Sequence, residues 1–208
     1  MDGHKALIIF ARLPKPGQVK TRLGEKLGME RASEVYASFA RHALGLGESV
    51  NGVGVKVYLF YDPIASGEEV QAWVNHPFIF LPQEGTDLGE RMKNAFEQTF
   101  SDGAGSTVII GTDVPDLNET IIQNAFNHLE AHDAVIGPST DGGYYLLGMK
   151  APGRNLFDGV QWSTGSVFGE TLTRLHELQA SYFILETLTD IDTFEDYEEY
   201  LRRARNFW

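Results

Sequence analysis

The chain has 208 residues, 42% of them hydrophobic, no cysteine and a formal net charge of −12. That size and apolar content suit one folded domain, residues 1–208, with a sizeable core. The missing cysteines exclude disulfides, thiolate nucleophiles and cysteine-ligated zinc and favour a cytoplasmic setting. The acidic balance argues against DNA or RNA as a partner, because nucleic acid is held by neutralising its phosphates. No apolar run approaches the ~18 residues of a membrane span, and the N-terminal stretch lacks the pattern of a signal peptide.

Along the chain, KALIIFA (5–11) is apolar without polar alternation, which predicts a central parallel strand. RLPKPGQVKTRLG follows as a loop with two prolines and two glycines. Residues 29–47 carry Ala32, Val35, Tyr36, Phe39, Ala43 and Leu46 at helical spacing. A strand is expected over 53–62, a short helix over 67–74 and a short strand over 78–82. The helix opened by QEGTDLGERM repeats Leu88, Met92, Ala95, Phe96 and Thr99 on one face, with Asp87 and Glu90 placed for a capping box. Val108, Ile109 and Ile110 predict a buried strand, and residues 118–131 a helix. AVIGP (134–138) and YYLLGM (144–149) read as two strands around a turn, the second open to an antiparallel direction. A helix over 166–178, a strand over 181–186 and a last helix capped by Thr193 and Asp196 complete the series. In that last helix Glu198–Arg202 and Glu199–Arg203 are spaced as i,i+4 pairs. Strands alternating with helices predict an α/β fold, a Rossmann-like, mostly parallel sheet with helices on both faces.

Chemistry-bearing residues concentrate in loops that follow strands. Five of the seventeen basic residues, Arg12, Lys15, Lys20, Arg22 and Lys26, fall between positions 12 and 26. A small cationic site on an acidic chain suits a small polyanion such as a nucleotide, and arginine can hold phosphate with two parallel hydrogen bonds. The loop matches neither a P-loop nor G-x-G-x-x-G. After the buried 108–110 run come Asp113 and Asp116, flanking Pro115. An acid just beyond the carboxyl end of a buried strand is where open α/β sheets bind ligands. Magnesium and manganese take one or two carboxylates and substrate phosphates as ligands. Asp113 is thus a metal ligand or a capping residue, and Asp116 a second ligand or a stabiliser of the next helix. In GPSTDGGYYLLG, Asp141 before two glycines is an acceptor-binding group, a general base or a turn residue. Asp192, in Asp190-Ile191-Asp192, is a second metal ligand or a turn acid.

Six motifs occur in order: IIFARLPKPGQVKTRL, QEGTDLGERM, IIGTDVPDL, GPSTDGGYYLLG, VQWSTGSVF and DIDTFEDY. Together they resemble a bacterial family of nucleotide-diphospho-sugar-transferase-like proteins of GT-A fold. That family is itself similar to the guanylyltransferases of molybdenum-cofactor and phospholactate pathways. The resemblance implies a nucleotide sugar or NTP as substrate, a small-molecule acceptor, and Mg²⁺ or Mn²⁺. It implies phosphate contacts from Arg12, Lys15, Lys20 and Arg22, and base or ribose contacts at Gly85, Leu88 and Gly89. It places the metal on Asp113 with Asp192 as the second acid, and the acceptor beside Asp141, Gly142 and Gly143. Trp162 would stack on a sugar or pack. Many GT-A enzymes carry D-x-D, whereas this chain has D-x-x-D at Asp113 and Asp116. The reaction so implied is metal-dependent glycosyl transfer from an NDP-sugar. Nucleotidyl transfer with release of pyrophosphate is the alternative, and nucleotide binding without catalysis a third.

Overall fold

The computed structural model describes residues 3–52, 54–153 and 155–205. In chain order the elements are β1 (His4–Ala11), α1 (Thr21–Leu27), α2 (Met29–Val50), β2 (Val55–Tyr61), α3 (Gly67–Trp73), β3 (Ile79–Pro82) and α4 (Leu88–Ser101). They continue with β4 (Ala104–Ile110), α5 (Glu119–His128), β5 (Ala134–Pro138), β6 (Tyr144–Met149), α6 (Val167–Glu177), β7 (Tyr182–Ile184) and α7 (Phe194–Arg205). The seven strands form one sheet in the order β3-β2-β1-β4-β6-β5-β7. Pairing is parallel except where β6 runs antiparallel to both β4 and β5. The strand order reverses between β1 and β4, so a crevice opens beyond their carboxyl ends.

Both faces of the sheet are covered, which is why β1 shows no polar alternation. Leu7, Ile9 and Ala11 pack with residues of α2, α3 and α5, among them Leu44, Val70, Ile122 and Phe126. Ala6 and Ile8 turn the other way, onto Met92, Ala95 and Phe96 of α4 and Leu175 of α6. Among the described residues, no helix is long and apolar enough to cross a membrane.

Several expected boundaries shift. The loop after β1 contains α1, which apolar periodicity could not reveal in a seven-residue segment. Such a helix is too short to stand alone; it is held by Leu23, which packs with Val35 and Phe39 of α2 and with Ile191. The strand expected from 53 begins at Val55, and Val53 lies outside the described residues. Asp87 accepts a hydrogen bond from Glu90 N at 2.9 Å, but the other half of the expected capping box is absent. The Glu90 carboxylate is taken by Thr86 N and Oγ1, at 2.8 and 2.7 Å. At α7 the reciprocal Thr193–Asp196 cap is present, with Thr193 N donating at 2.7 Å and Asp196 N at 3.2 Å. Arg202 pairs with Glu199 rather than Glu198, and Arg203 reaches Asp116 at 2.7 Å. Asp116 therefore caps no helix; Asn118 does, accepting from Ile121 N at 3.1 Å.

Candidate functional site

At the crevice, the loop after β1 meets the loop after β4. Lys20 stands at the N-terminus of α1 with φ 48° and ψ 44°, a left-handed conformation uncommon for a side chain other than glycine or asparagine. This turn sends its side chain inward, where it is only 4% exposed. The Lys20 Nζ lies 2.9 Å from Asp113 Oδ1 and 3.7 Å from Asp192 Oδ1. Arg22, two residues further on, donates to Asp192 Oδ2 at 2.7 Å. The approach of Lys20 to Asp113 misses hydrogen-bond alignment, so the buried Oδ1 has a charge partner but accepts no hydrogen bond among the described residues. The segment carrying Asp192 is docked by Ile191 N, which donates to the Asp113 carbonyl at 2.9 Å. Behind them, the Tyr36 hydroxyl oxygen of α2 accepts from Arg12 N at 2.8 Å and from Thr112 Oγ1 at 3.1 Å. Burial, reinforced by the negative charge of Asp113, pushes that phenol up to about 12. Tyr36 thus joins the start of the basic loop to the end of β4.

A second group of acids borders this cluster. The Asp141 Oδ1 accepts from Ser139 Oγ and from Gly143 N at 2.8 Å, closing the turn between β5 and β6. Gly142 has φ 89°, and a Cβ there would overlap the Gly165 carbonyl. Gly143 would set its Cβ 3.2 Å from Asp141 Oδ1. Both glycines thus have a structural reason in the turn itself. Asp190 sits against the same acids. Burial first, then the charge of Asp141, push its carboxyl up to about 6; Asp113 adds to this and Lys20 opposes it.

The other expected contacts are dispersed. Lys15 is held on α3 by Glu69 at 2.6 Å. Arg12 Nε lies 3.3 Å from Asp62 Oδ2, and Arg91 reaches the same oxygen at 3.6 Å. Asp62, buried at the carboxyl end of β2, also accepts from Ile64 N at 3.1 Å. Arg12, Gln18, Asp62 and Arg91, with Leu13 and residues 63–65, line a cavity of about 290 Å³. Gln83, buried at the end of β3, accepts from Arg91 at 3.3 Å and donates to the Phe60 carbonyl at 3.0 Å. Gly89 lies under Trp162, where a Cβ would overlap the indole, and Trp162 packs against Phe157 with ring centroids 6.2 Å apart. Gly85 has φ 139°, and a Cβ there would stand 2.7 Å from Glu90 Cβ. Leu88 is 44% exposed at the start of α4.

The sequence alone gives no site role to Tyr36, Asp62, Gln83, Arg91 or Asp190, although Asp190 stands in the candidate stretch Asp190-Ile191-Asp192. For Asp62 the signal was present, because it follows the buried β2 as Asp113 follows β4. Helical spacing marks Tyr36 only as a core position, and its hydroxyl partners lie 24 and 76 residues away. For a divalent cation the donor chemistry fits: Asp113 and Asp192 would offer hard carboxylate oxygens beside two cations suited to phosphate, and a Mg²⁺ site of one or two carboxylates is completed by substrate. The buried, unbonded Oδ1 of Asp113 supports that fit. Among the described residues no three acids or histidines gather closely enough to hold an ion alone.

A family model described as "Uncharacterized protein conserved in bacteria (DUF2064)" matches residues 46–164. A crystal structure from Desulfovibrio desulfuricans G20, whose name of nucleotide-diphospho-sugar transferase is itself provisional, is 34% identical with a TM-score of 0.90. That match covers 99% of this chain and 89% of the other. A 2-phospho-L-lactate guanylyltransferase from Methanocaldococcus sp. (strain FS406-22) is 25% identical over 186 residues, 87% of this chain and 75% of that protein. Glucosyl-3-phosphoglycerate synthase from Mycobacterium tuberculosis, solved with Mn²⁺ and UDP, shares the fold at a TM-score of 0.57 and 10% identity, over 97% of this chain and 76% of that one.

Proposed function

We infer the function from two facts: the chain belongs to the DUF2064 family of bacterial proteins, and it is similar to one solved protein named for nucleotide-diphospho-sugar transfer and to one curated guanylyltransferase. The reading is a transferase acting on a nucleoside diphosphate group, and specifically metal-dependent transfer of a sugar from an NDP-sugar to a small-molecule acceptor. The observation that carries it is the meeting of Lys20, Arg22, Asp113 and Asp192 at the switch point of the sheet. Lys20 and Arg22 would hold the diphosphate, one as a point charge and the other through its planar fork. The cavity by Arg12, Asp62 and Arg91 would take the base. Asp113 and Asp192 would hold Mg²⁺ or Mn²⁺, which when bound supplies charge stabilisation worth several kcal/mol to a departing diphosphate.

In the reaction, an acceptor hydroxyl oxygen bonds to the anomeric carbon as the bond from that carbon to the diphosphate breaks. The electron pair leaves on the NDP, and the hydroxyl proton passes to a carboxylate, for which Asp141 is the candidate. Lys20 and Arg22 then balance the charge gathering on the leaving group.

The second reading is nucleotidyl transfer, favoured by the 25% identity to a guanylyltransferase. There a phosphorylated acceptor attacks the α-phosphorus of an NTP and pyrophosphate leaves. A thermal-shift screen of NDP-sugars and NTPs with Mn²⁺, with and without chelator, tests both. A true substrate at a hundredfold excess over its Kd adds about 2.7 kcal/mol of stability. Release of free NDP supports glycosyl transfer, and release of pyrophosphate supports the second reading. Asp113→Asn is expected to abolish the Mn²⁺-dependent part of the shift. If ligand affinity in that variant matches the wild type with and without Mn²⁺, binding without metal-dependent catalysis is the better account.

A further inference from the structure

We propose that Lys20 is the resident counter-ion of the acid pair, and that it must withdraw from Asp113 before a divalent cation can enter. Diphosphate and metal would then bind as a linked pair rather than independently. The inference deepens the function proposed above and rests on its diphosphate site.

Lys20 is 4% exposed, while its partners Asp113 and Asp192 are 46% and 37% exposed. A lysine withdrawn from water in this way needs compensating charge, and the two carboxylates supply it. The pairing is also exchangeable. Asp113 Oδ1 receives the ammonium at 2.9 Å but accepts no hydrogen bond, so the contact is a charge pair without directional bonding. Asp192, by contrast, keeps Arg22 on its second oxygen when Lys20 moves.

Geometry then sets the conflict. Mg²⁺ binds carboxylate oxygen at about 2.1 Å, so an ion on Asp113 Oδ1 would stand no farther than about 5 Å from the ammonium as placed. A divalent cation and an ammonium that close would share the Asp113 carboxylate, while the Arg22 guanidinium holds the neighbouring Asp192. An arriving diphosphate resolves this, because it offers Lys20 a new anionic partner and its own oxygens complete the metal shell. Lysine is suited to the move, as a point charge on a flexible four-carbon stem. The linkage is reciprocal: whatever diphosphate does for metal affinity, metal does for diphosphate affinity.

The test measures two ligands separately on the full chain. Mn²⁺ alone is titrated by the electron paramagnetic resonance signal of the free ion, and inorganic pyrophosphate alone is titrated by calorimetry in chelator. Lys20→Met is expected to bind Mn²⁺ at least tenfold more tightly than the wild type and pyrophosphate at least threefold more weakly. The opposite signs are the signature, since a merely structural loss weakens both. A folded K20M whose Mn²⁺ affinity equals or falls below that of the wild type overturns the proposal. Should K20M prove unfolded by circular dichroism, K20Q is judged by the same two criteria. A wild type that binds no pyrophosphate with or without Mn²⁺ counts against the diphosphate reading itself, while the Mn²⁺ comparison still decides the role of Lys20.

Discussion

Tyr36 carries a hydroxyl that two distant parts of the chain depend on. Its oxygen is the acceptor for Arg12 N and Thr112 Oγ1, and both tyrosine and threonine are buried. Tyr36→Phe keeps the ring's packing but leaves those two donors without their partner. The expected cost is about 1–3 kcal/mol in urea unfolding, with weaker binding of pyrophosphate because the loops holding Lys20 and Asp113 lose their tie. Lys15 and Arg22 provide a contrast between two cations of one loop. Lys15 is spent on Glu69 of α3, whereas Arg22 lines the acid pair. Lys15→Ala should leave pyrophosphate affinity within twofold of the wild type, and Arg22→Ala should lower it about tenfold. Equal losses in the two variants would mean that Lys15 turns back to the ligand when it binds.

At the scale of elements, close approaches between segments set the shape of the site. Gly89 lets the indole of Trp162 lie directly on α4, and Gly142 lets the β5–β6 turn seat against Gly165. Gly89→Ala is expected to lose about 1–3 kcal/mol and to shift tryptophan emission as Trp162 is pushed out. Gly142→Ala adds backbone strain at φ 89° to the same kind of overlap and should cost at least as much. A third junction joins the start of β5 to β7. Asp133 accepts from Ser181 Oγ at 2.6 Å and from Ser181 N at 2.8 Å, and these bonds, the hydroxyl's first, hold its carboxyl below the ordinary carboxylate range. Because the folded-state value is depressed, the contribution is present above about pH 4 and fades as pH falls through the lowered value. Ser181→Ala should therefore cost no more than about 1 kcal/mol at pH 7, the carboxylate being exposed, and less once that carboxyl is protonated, when the bond from Asp133 N to Ser181 Oγ at 3.1 Å is what remains to be lost. An undiminished difference at low pH would sink this account.

For the molecule as a whole, one sheet runs unbroken from β3 to β7 and shares its strands between both core clusters. Trp73 packs against the first cluster and Trp162 against the second, so tryptophan emission reports both faces. Urea transitions followed by emission and by far-ultraviolet circular dichroism are expected to coincide, as for a single cooperative unit. Separated transitions would show that the faces unfold independently. The overall charge of −12 also bears on ligand binding. An anionic ligand is repelled by the net charge of the surface, and the cations that offset it locally are Lys20 and Arg22 at the crevice and Arg12 and Arg91 at the cavity beside Asp62.

What the sequence determined by itself is the α/β alternation, the central place of β1 and β4, and Asp113 as an acid beyond a buried strand. These follow from short-range rules: apolar runs demand burial, and a polar residue after such a run must emerge at the sheet's edge. The cluster of basic residues after β1 and the acids of Asp190-Ile191-Asp192 offer Lys20, Arg22 and Asp192 as companions, a set the family resemblance also implies. Only the tertiary structure decided which of these touch. It turned Lys15 aside to Glu69, gave Asp116 to Arg203, brought Asp192 across 170 residues to Arg22, and put Arg12, Asp62 and Arg91 around a cavity. The physical reason is that a charged side chain finds its partner through space. Burial and through-space charge, which set Lys20 between two carboxylates and push Asp190 up to about 6, have no periodicity along the chain from which they could be read.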